Sequence, residues 1–107
     1  VAVNRENGPP GAPPAEGASA EATFEVTNRL GLHARAAAQL VHLANRFASE
    51  IRLNKDGTEV NGKSIMGVLM LAAPKDSRIL VRAQGPDARE AVEAIGELFG
   101  RKFGEEA

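Results

Sequence analysis

The 107-residue sequence predicts an α+β domain in which one four-stranded antiparallel sheet is covered on one face by three helices, in the order β-α-β-β-α-β-α. Three observations carry that expectation. Several short stretches alternate apolar and polar residues, the pattern of a half-buried strand, while longer stretches repeat apolar residues at steps of three and four, the helical period. An Asp-Gly pair between two alternating stretches marks a tight hairpin. Strands with a single apolar face need cover on one side only.

Thr23 to Thr27 alternates and sets Phe24 and Val26 on one face of the first strand. A helix is expected between Ala34 and Ala48, where Ala37, Leu40, Val41, Ala44 and Phe47 form an apolar stripe. Glu50 to Asn54 alternates again with Ile51 and Leu53 inward, and Lys55-Asp56-Gly57-Thr58 turns the chain back through Glu59 to Asn61. A short helix begins after Ser64, a residue type that caps helices by accepting a backbone hydrogen bond, and Pro74 with Lys75-Asp76 ends it. Arg78 to Ala83 supplies the remaining strand, with Ile79, Val81 and Ala83 on its buried face. Gly85-Pro86-Asp87 signals a helix start with proline in the first turn. Ala88, Ala91, Val92, Ile95, Leu98 and Phe99 then form the stripe of a last helix that frays near Gly100.

Composition bounds the function. Val1 to Ala20 holds four of the six prolines and no aromatic residue, so it buries too little apolar surface to offset the entropy of ordering. Residues 1–21 are therefore expected as a loose tail or linker, residues 22–103 as the domain, and residues 104–107 as an acidic end. The absence of cysteine excludes disulfides and thiolate metal sites. A net charge of −1, with both signs interspersed, gives no nucleic-acid footprint. No stretch approaches the roughly 20 apolar residues that cross a bilayer, and Val1 to Ala20 lacks the apolar centre of a signal peptide. The expectation is a cytoplasmic chain without membrane insertion.

The chemistry centres on Leu30-Gly31-Leu32-His33-Ala34-Arg35-Ala36-Ala37-Ala38, where strand gives way to helix. A helix start offers unpaired N–H groups and positive potential, so it favours an anion and disfavours an imidazolium. His33 is thus expected to be neutral, with a lone pair available to phosphorus. Arg35 can grip phosphoryl oxygens through two parallel hydrogen bonds, and a cation in a first turn is itself unfavourable unless an anion visits. His42 lies nine residues beyond His33, half a turn out of phase at about 100° per residue, so the two rings cannot share a metal ion on this helix. Glu90, Glu93 and Glu97 have the spacing of a solvated helix face. Ile65 to Leu71 is apolar all the way round; one face must cover the sheet, and the rest is suited to contact with partners.

The string Gly31-Leu32-His33-Ala34-Arg35-Ala36-Ala37 resembles Gly-Leu-His-Ala-Arg-Pro-Ala, the active-site string of the HPr family of bacterial phosphotransferase-system phosphocarriers. Six of the seven residue types match, and Ala36 stands where the family usually has proline. Asn61-Gly62-Lys63-Ser64-Ile65-Met66-Gly67-Val68 resembles the family's regulatory serine and the short docking helix after it. The resemblance spans about residues 22 to 103 and implies the family's open-faced β-sandwich. It also implies that His33 accepts a phosphoryl group from a phosphohistidine of Enzyme I, itself charged from phosphoenolpyruvate, and passes it to an EIIA-type acceptor domain. Arg35 and the helix start would stabilise that group. Ser64 would be the regulatory position, addressed by an HPr kinase, and Ile65, Met66 and Leu69 the docking patch. No metal or organic cofactor is implied, and the chain would be an intermediate carrier more than a stand-alone enzyme. The nitrogen-related branch, NPr, stands beside HPr itself, because Thr27-Asn28-Arg29-Leu30-Gly31 and Phe103-Gly104-Glu105-Glu106 resemble that branch. A reading from a different class is a regulatory binding module that acts through Ser64 and its apolar helix without histidine phosphotransfer; His33 and Arg35 argue against it.

Overall fold

Alternation in the chain becomes a sheet of four strands, β1 (Ser19–Glu25), β2 (Glu50–Lys55), β3 (Thr58–Asn61) and β4 (Arg78–Gln84), paired antiparallel in the order β1-β4-β2-β3. The computed structural model describes residues 18–105; most of the expected tail, and residues 106–107, lie outside them. Registers such as Phe24 with Ile79 and Leu53 with Val81 bring the apolar alternates to one face, where Ile51, Leu53, Ile79 and Val81 are fully buried. The opposite face carries charge. Arg82 Nε donates to Glu21 Oε1 at 3.1 Å, and Arg52 Nη2 to Glu50 Oε2 at 2.8 Å. Exposed pairs of this kind contribute at most about 1 kcal/mol, so they help to keep that face in water more than they hold the fold.

Three helices cover the apolar face: α1 (Ala34–Ala44), α2 (Ile65–Met70) and α3 (Ala88–Gly100). α1 buries Ala36, Ala37, Leu40 and Ala44, and α3 buries all six residues of its expected stripe. The β2–β3 hairpin turns on Asp56 and Gly57, both at positive φ, as a type I′ turn requires. The predicted architecture is the observed one.

Several boundaries differ from the sequence reading, each for a physical reason. β1 starts at Ser19 rather than Thr23 and the domain accordingly before residue 22, because the seven-residue β4 offers pairing as far as Ser19 with Gln84. Ala20, Ala22 and Phe24 then face the core, half-buried. α1 stops at Ala44, four residues short, where the Asn45 backbone N–H and side-chain Nδ2 both donate back to the Val41 carbonyl. α2 ends at Met70, ahead of Pro74, since Ala72 takes a left-handed φ of 48°. Pro86 precedes the N-cap Asp87 and lies outside α3. The Asp87 carboxylate serves another segment: it accepts from Ala48 N and Ser49 N at 2.9 Å each and from Ser49 Oγ at 2.6 Å. The Ser49 hydroxyl, with the two amides, holds this carboxyl below the usual range against the opposing effect of desolvation.

The largest departure is at the C-terminal end. Beyond Gly100 the chain does not fray; it forms a 3₁₀ turn over Lys102–Gly104 with Phe103 only 2% exposed, its ring edge-on to Phe99 at 5.1 Å between centroids. Lys102, Phe103 and Gly104 all have positive φ. Two of these are not glycine, a costly conformation that burial of an aromatic ring can stabilise. The turn sends Glu105, expected within an acidic end, back onto the body of the domain.

Candidate functional site

The loop between β1 and α1 is tied down before it delivers His33. Val26 N donates to Ser77 O at 2.8 Å, and Asp76 N donates to Val26 O at 2.7 Å. Gly31 N then donates to Asn28 O at 3.1 Å, and Leu32 N to Ala73 O at 2.9 Å. Gly31 has φ +68°, and a Cβ on it would lie 2.5 Å from the Ala73 oxygen and 2.9 Å from Pro74 Cα. Only glycine fits that approach at that φ. With Leu32 buried behind it, His33 is fixed as the first residue before α1.

His33 is the N-cap of α1, with φ −74° and ψ −179°, and its carbonyl accepts the first helical bond from Ala37 N at 2.8 Å. Its Nδ1 accepts from Arg35 N at 3.3 Å. A ring nitrogen that accepts carries a lone pair, so the proton of the neutral ring is on Nε2. Nε2 meets the Glu105 carboxylate through Oε2. The other carboxylate oxygen, Oε1, accepts from Asn28 Nδ2 at 2.9 Å, and the same Nδ2 donates its second hydrogen to Gly31 O at 2.8 Å. The His33 side chain is 29% exposed and that of Glu105 14%. Hydrogen bonds from Asn28 and then from His33 lower the Glu105 carboxyl below its ordinary range; the charges of His33 and Arg35 act the same way, and desolvation opposes them.

Around the exposed Nδ1 edge the donors have open valences. Among the described residues the N–H groups of Ala34 and Ala36 have no acceptor, as the first turn of a helix dictates. Ala36 therefore contributes an N–H where proline would contribute none. The Arg35 guanidinium is exposed and enters no ion pair among the described residues. Backbone donors at a helix terminus beside a lone pair make a seat for a tetrahedral anion, and an exposed cation stands two residues along the same turn. His42 is exposed in the last turn of α1.

Ser64 is the N-cap of α2, its Oγ accepting from Gly67 N at 3.1 Å. The approach to it is braced by Lys63 Nζ donating to Phe47 O at 2.6 Å and Asn45 Nδ2 to Lys63 O at 3.3 Å. α2 turns Val68 and, just past its end, Leu71 inward; Ile65, Met66 and Leu69 stay exposed, as the apolar-all-round sequence implied. Met70 and Leu30, 73% and 63% exposed, extend the same kind of surface and were not singled out from the sequence. Met70 was legible as the residue one turn after Met66. Leu30 sits in an irregular loop, where no period reports exposure. Asn28 and Glu105 were also missed as members of the site, because nothing local in the chain says that residues 77 positions apart meet.

A family model described as "PTS HPr component phosphorylation site" matches residues 20–101. The phosphocarrier protein HPr of Cupriavidus necator is 46% identical over 80 residues, 75% of this chain and 90% of its own. That of Xylella fastidiosa is 51% identical over 81 residues, covering 76% and 91% of the two chains. A crystal structure of HPr from Thermoanaerobacter tengcongensis superposes with a TM-score of 0.80 at 43% identity, over 82% of this chain and 99% of that one. With the sheet order, the three helices and a histidine capping the first of them already in place, the chain belongs to the HPr family of phosphocarrier proteins of the phosphotransferase system.

Proposed function

We propose that His33 Nδ1 takes a phosphoryl group from a phosphohistidine of Enzyme I and passes it to an EIIA-type acceptor domain. The single observation that carries the reading is the ring's orientation: Nδ1 is turned to the first-turn Arg35 N–H of α1 while Nε2 is engaged by Glu105. In the forward step the Nδ1 lone pair forms a bond to phosphorus as the donor's N–P bond breaks, and the donor imidazole leaves with that electron pair. Developing charge on the phosphoryl oxygens meets the helix start and Arg35, so positioning and electrostatics supply the catalysis. No other covalent chemistry is required of the chain.

Ser64 and the surface of Ile65, Met66 and Leu69 complete the reading as the regulatory position and docking patch. A phosphate on Ser64 would set about two negative charges beside exposed apolar side chains and weaken apolar docking. Incubation with Enzyme I and phosphoenolpyruvate, followed by intact mass, tests the main step. The wild-type protein should gain one phosphoryl group that acid removes, and His33→Ala should gain none. Labelling of His33→Ala at an acid-sensitive bond would refute the assignment, and an exclusively acid-stable label would favour the serine-regulated binding module instead.

A further inference from the structure

Asn28 is fully buried, and its placement is unfavourable: Oδ1 is a buried acceptor with no hydrogen-bond partner, which leaves its desolvation uncompensated. Turning the amide over would give no relief, since the carbonyl oxygen would then face Gly31 O and the Glu105 carboxylate. Both Nδ2 hydrogens are thus committed, one to the loop that positions His33 and one to Glu105. Glu105 reaches that place only because the chain reverses after α3 through three successive residues of positive φ. An apolar residue at position 28 would avoid the orphaned oxygen, so the arrangement is best accounted for by what it does to the carboxylate.

On the reading of His33 as the phosphoryl acceptor, we infer that Glu105 is a positioning residue: held by Asn28, its carboxylate keeps the proton on Nε2 and reserves Nδ1 for phosphorus in both directions of transfer. On entry, the alternative tautomer would carry its proton on Nδ1 and present no lone pair to the donor. Once the N–P bond has formed, the ring bears positive charge with its Nε2 proton still bonded to Glu105, so no proton has to move. On exit, that retained proton lets the ring leave as neutral imidazole, a far better leaving group than imidazolate. The charged groups facing this edge are Glu105 from the C-terminal turn and Arg35 from α1; Asn28 is neutral.

A glutamine at position 105 cannot substitute. Its single carbonyl oxygen can accept from Asn28 or from His33, and its NH₂ would then oppose a donor. Glu105→Gln, Glu105→Asp and Asn28→Ala proteins, with the folded state verified by thermal unfolding, provide the test through two independent measurements. The first is the pair of ¹⁵N shifts of the His33 ring in the unphosphorylated protein. Wild type should show Nε2 protonated, Glu105→Gln a mixture of tautomers, and Glu105→Asp a partial return. The second is the rate of phosphoryl transfer from Enzyme I, expected to fall about 10- to 100-fold in Glu105→Gln, the usual consequence of losing the group that orients a histidine. Unchanged tautomer shifts in Glu105→Gln would overturn the inference whatever the rates do. Because those shifts need no phosphoryl donor, they read the Glu105 role even if His33 proved not to be the acceptor, which mass measurement on His33→Ala decides separately. Asn28→Ala is the second route: a folded Asn28→Ala protein with wild-type shifts and rate would equally count against it.

Discussion

Arg35 sits in the first turn of α1, where the helix field opposes its charge, and among the described residues nothing anionic holds its guanidinium. On the proposed function its charge serves the phosphoryl group that arrives. Arg35→Ala is expected to leave thermal stability within about 0.5 kcal/mol and to slow transfer about 10- to 100-fold, the equivalent of about 1.5–3 kcal/mol for charge-assisted hydrogen bonds. An unchanged single-turnover rate would remove it from the mechanism. Gly31 acts the other way, on structure alone. Gly31→Ala would drive a Cβ into the Ala73 carbonyl at a φ that side chains avoid, and should cost about 1–3 kcal/mol in denaturant unfolding. His33, Arg35 and Ser64 were legible because their meaning is local: a capping position, a first-turn cation, a cap before an apolar run. Glu105 was not, since its meaning depends on where a distant turn points.

At the scale of elements, α2 divides its labour within six residues. Val68 is fully buried, while Met66 and Met70 are 64% and 73% exposed. Met66→Lys should therefore change stability by no more than about 0.5 kcal/mol yet raise the KM for Enzyme I, whereas Val68→Ala should cost about 1–3 kcal/mol with a smaller effect on KM. Equal effects of the two on KM would argue against a docking role for the exposed face. The types of β1, β2, β4, α1 and α3 were readable from period, because apolar residues on one face must be buried wherever the element packs, whereas β3 followed from the Asp-Gly turn and α2 from its serine cap. Ends were less readable. The start of β1 depended on the length of its partner, and the end of α1 on a side chain folding back, neither of which leaves a periodic trace. Gly85-Pro86-Asp87 signals a proline in the first turn of α3, but the Asp87 carboxylate is drawn to Ala48 and Ser49, and the helix begins after it.

Among the described residues two carboxylates, Asp87 and Glu105, have pKa values lowered by partners from distant parts of the chain. A carboxyl with a folded pKa below its unfolded value of about 4 adds stability that is fully present above that value. The contribution disappears as pH falls through the folded value. Stability should thus be flat near neutrality and drop below about pH 4, and Asp87→Asn should flatten that acid limb while lowering the neutral plateau. A limb of unchanged steepness in Asp87→Asn would assign the acid sensitivity elsewhere. The strand order has a consequence for synthesis. β4 lies between β1 and β2, so until Arg78–Gln84 exists the earlier strands have only the β2–β3 hairpin to form. A nascent chain on the ribosome has β1 waiting without a neighbour until that segment clears the exit tunnel, so the sheet cannot close strand by strand as it is made.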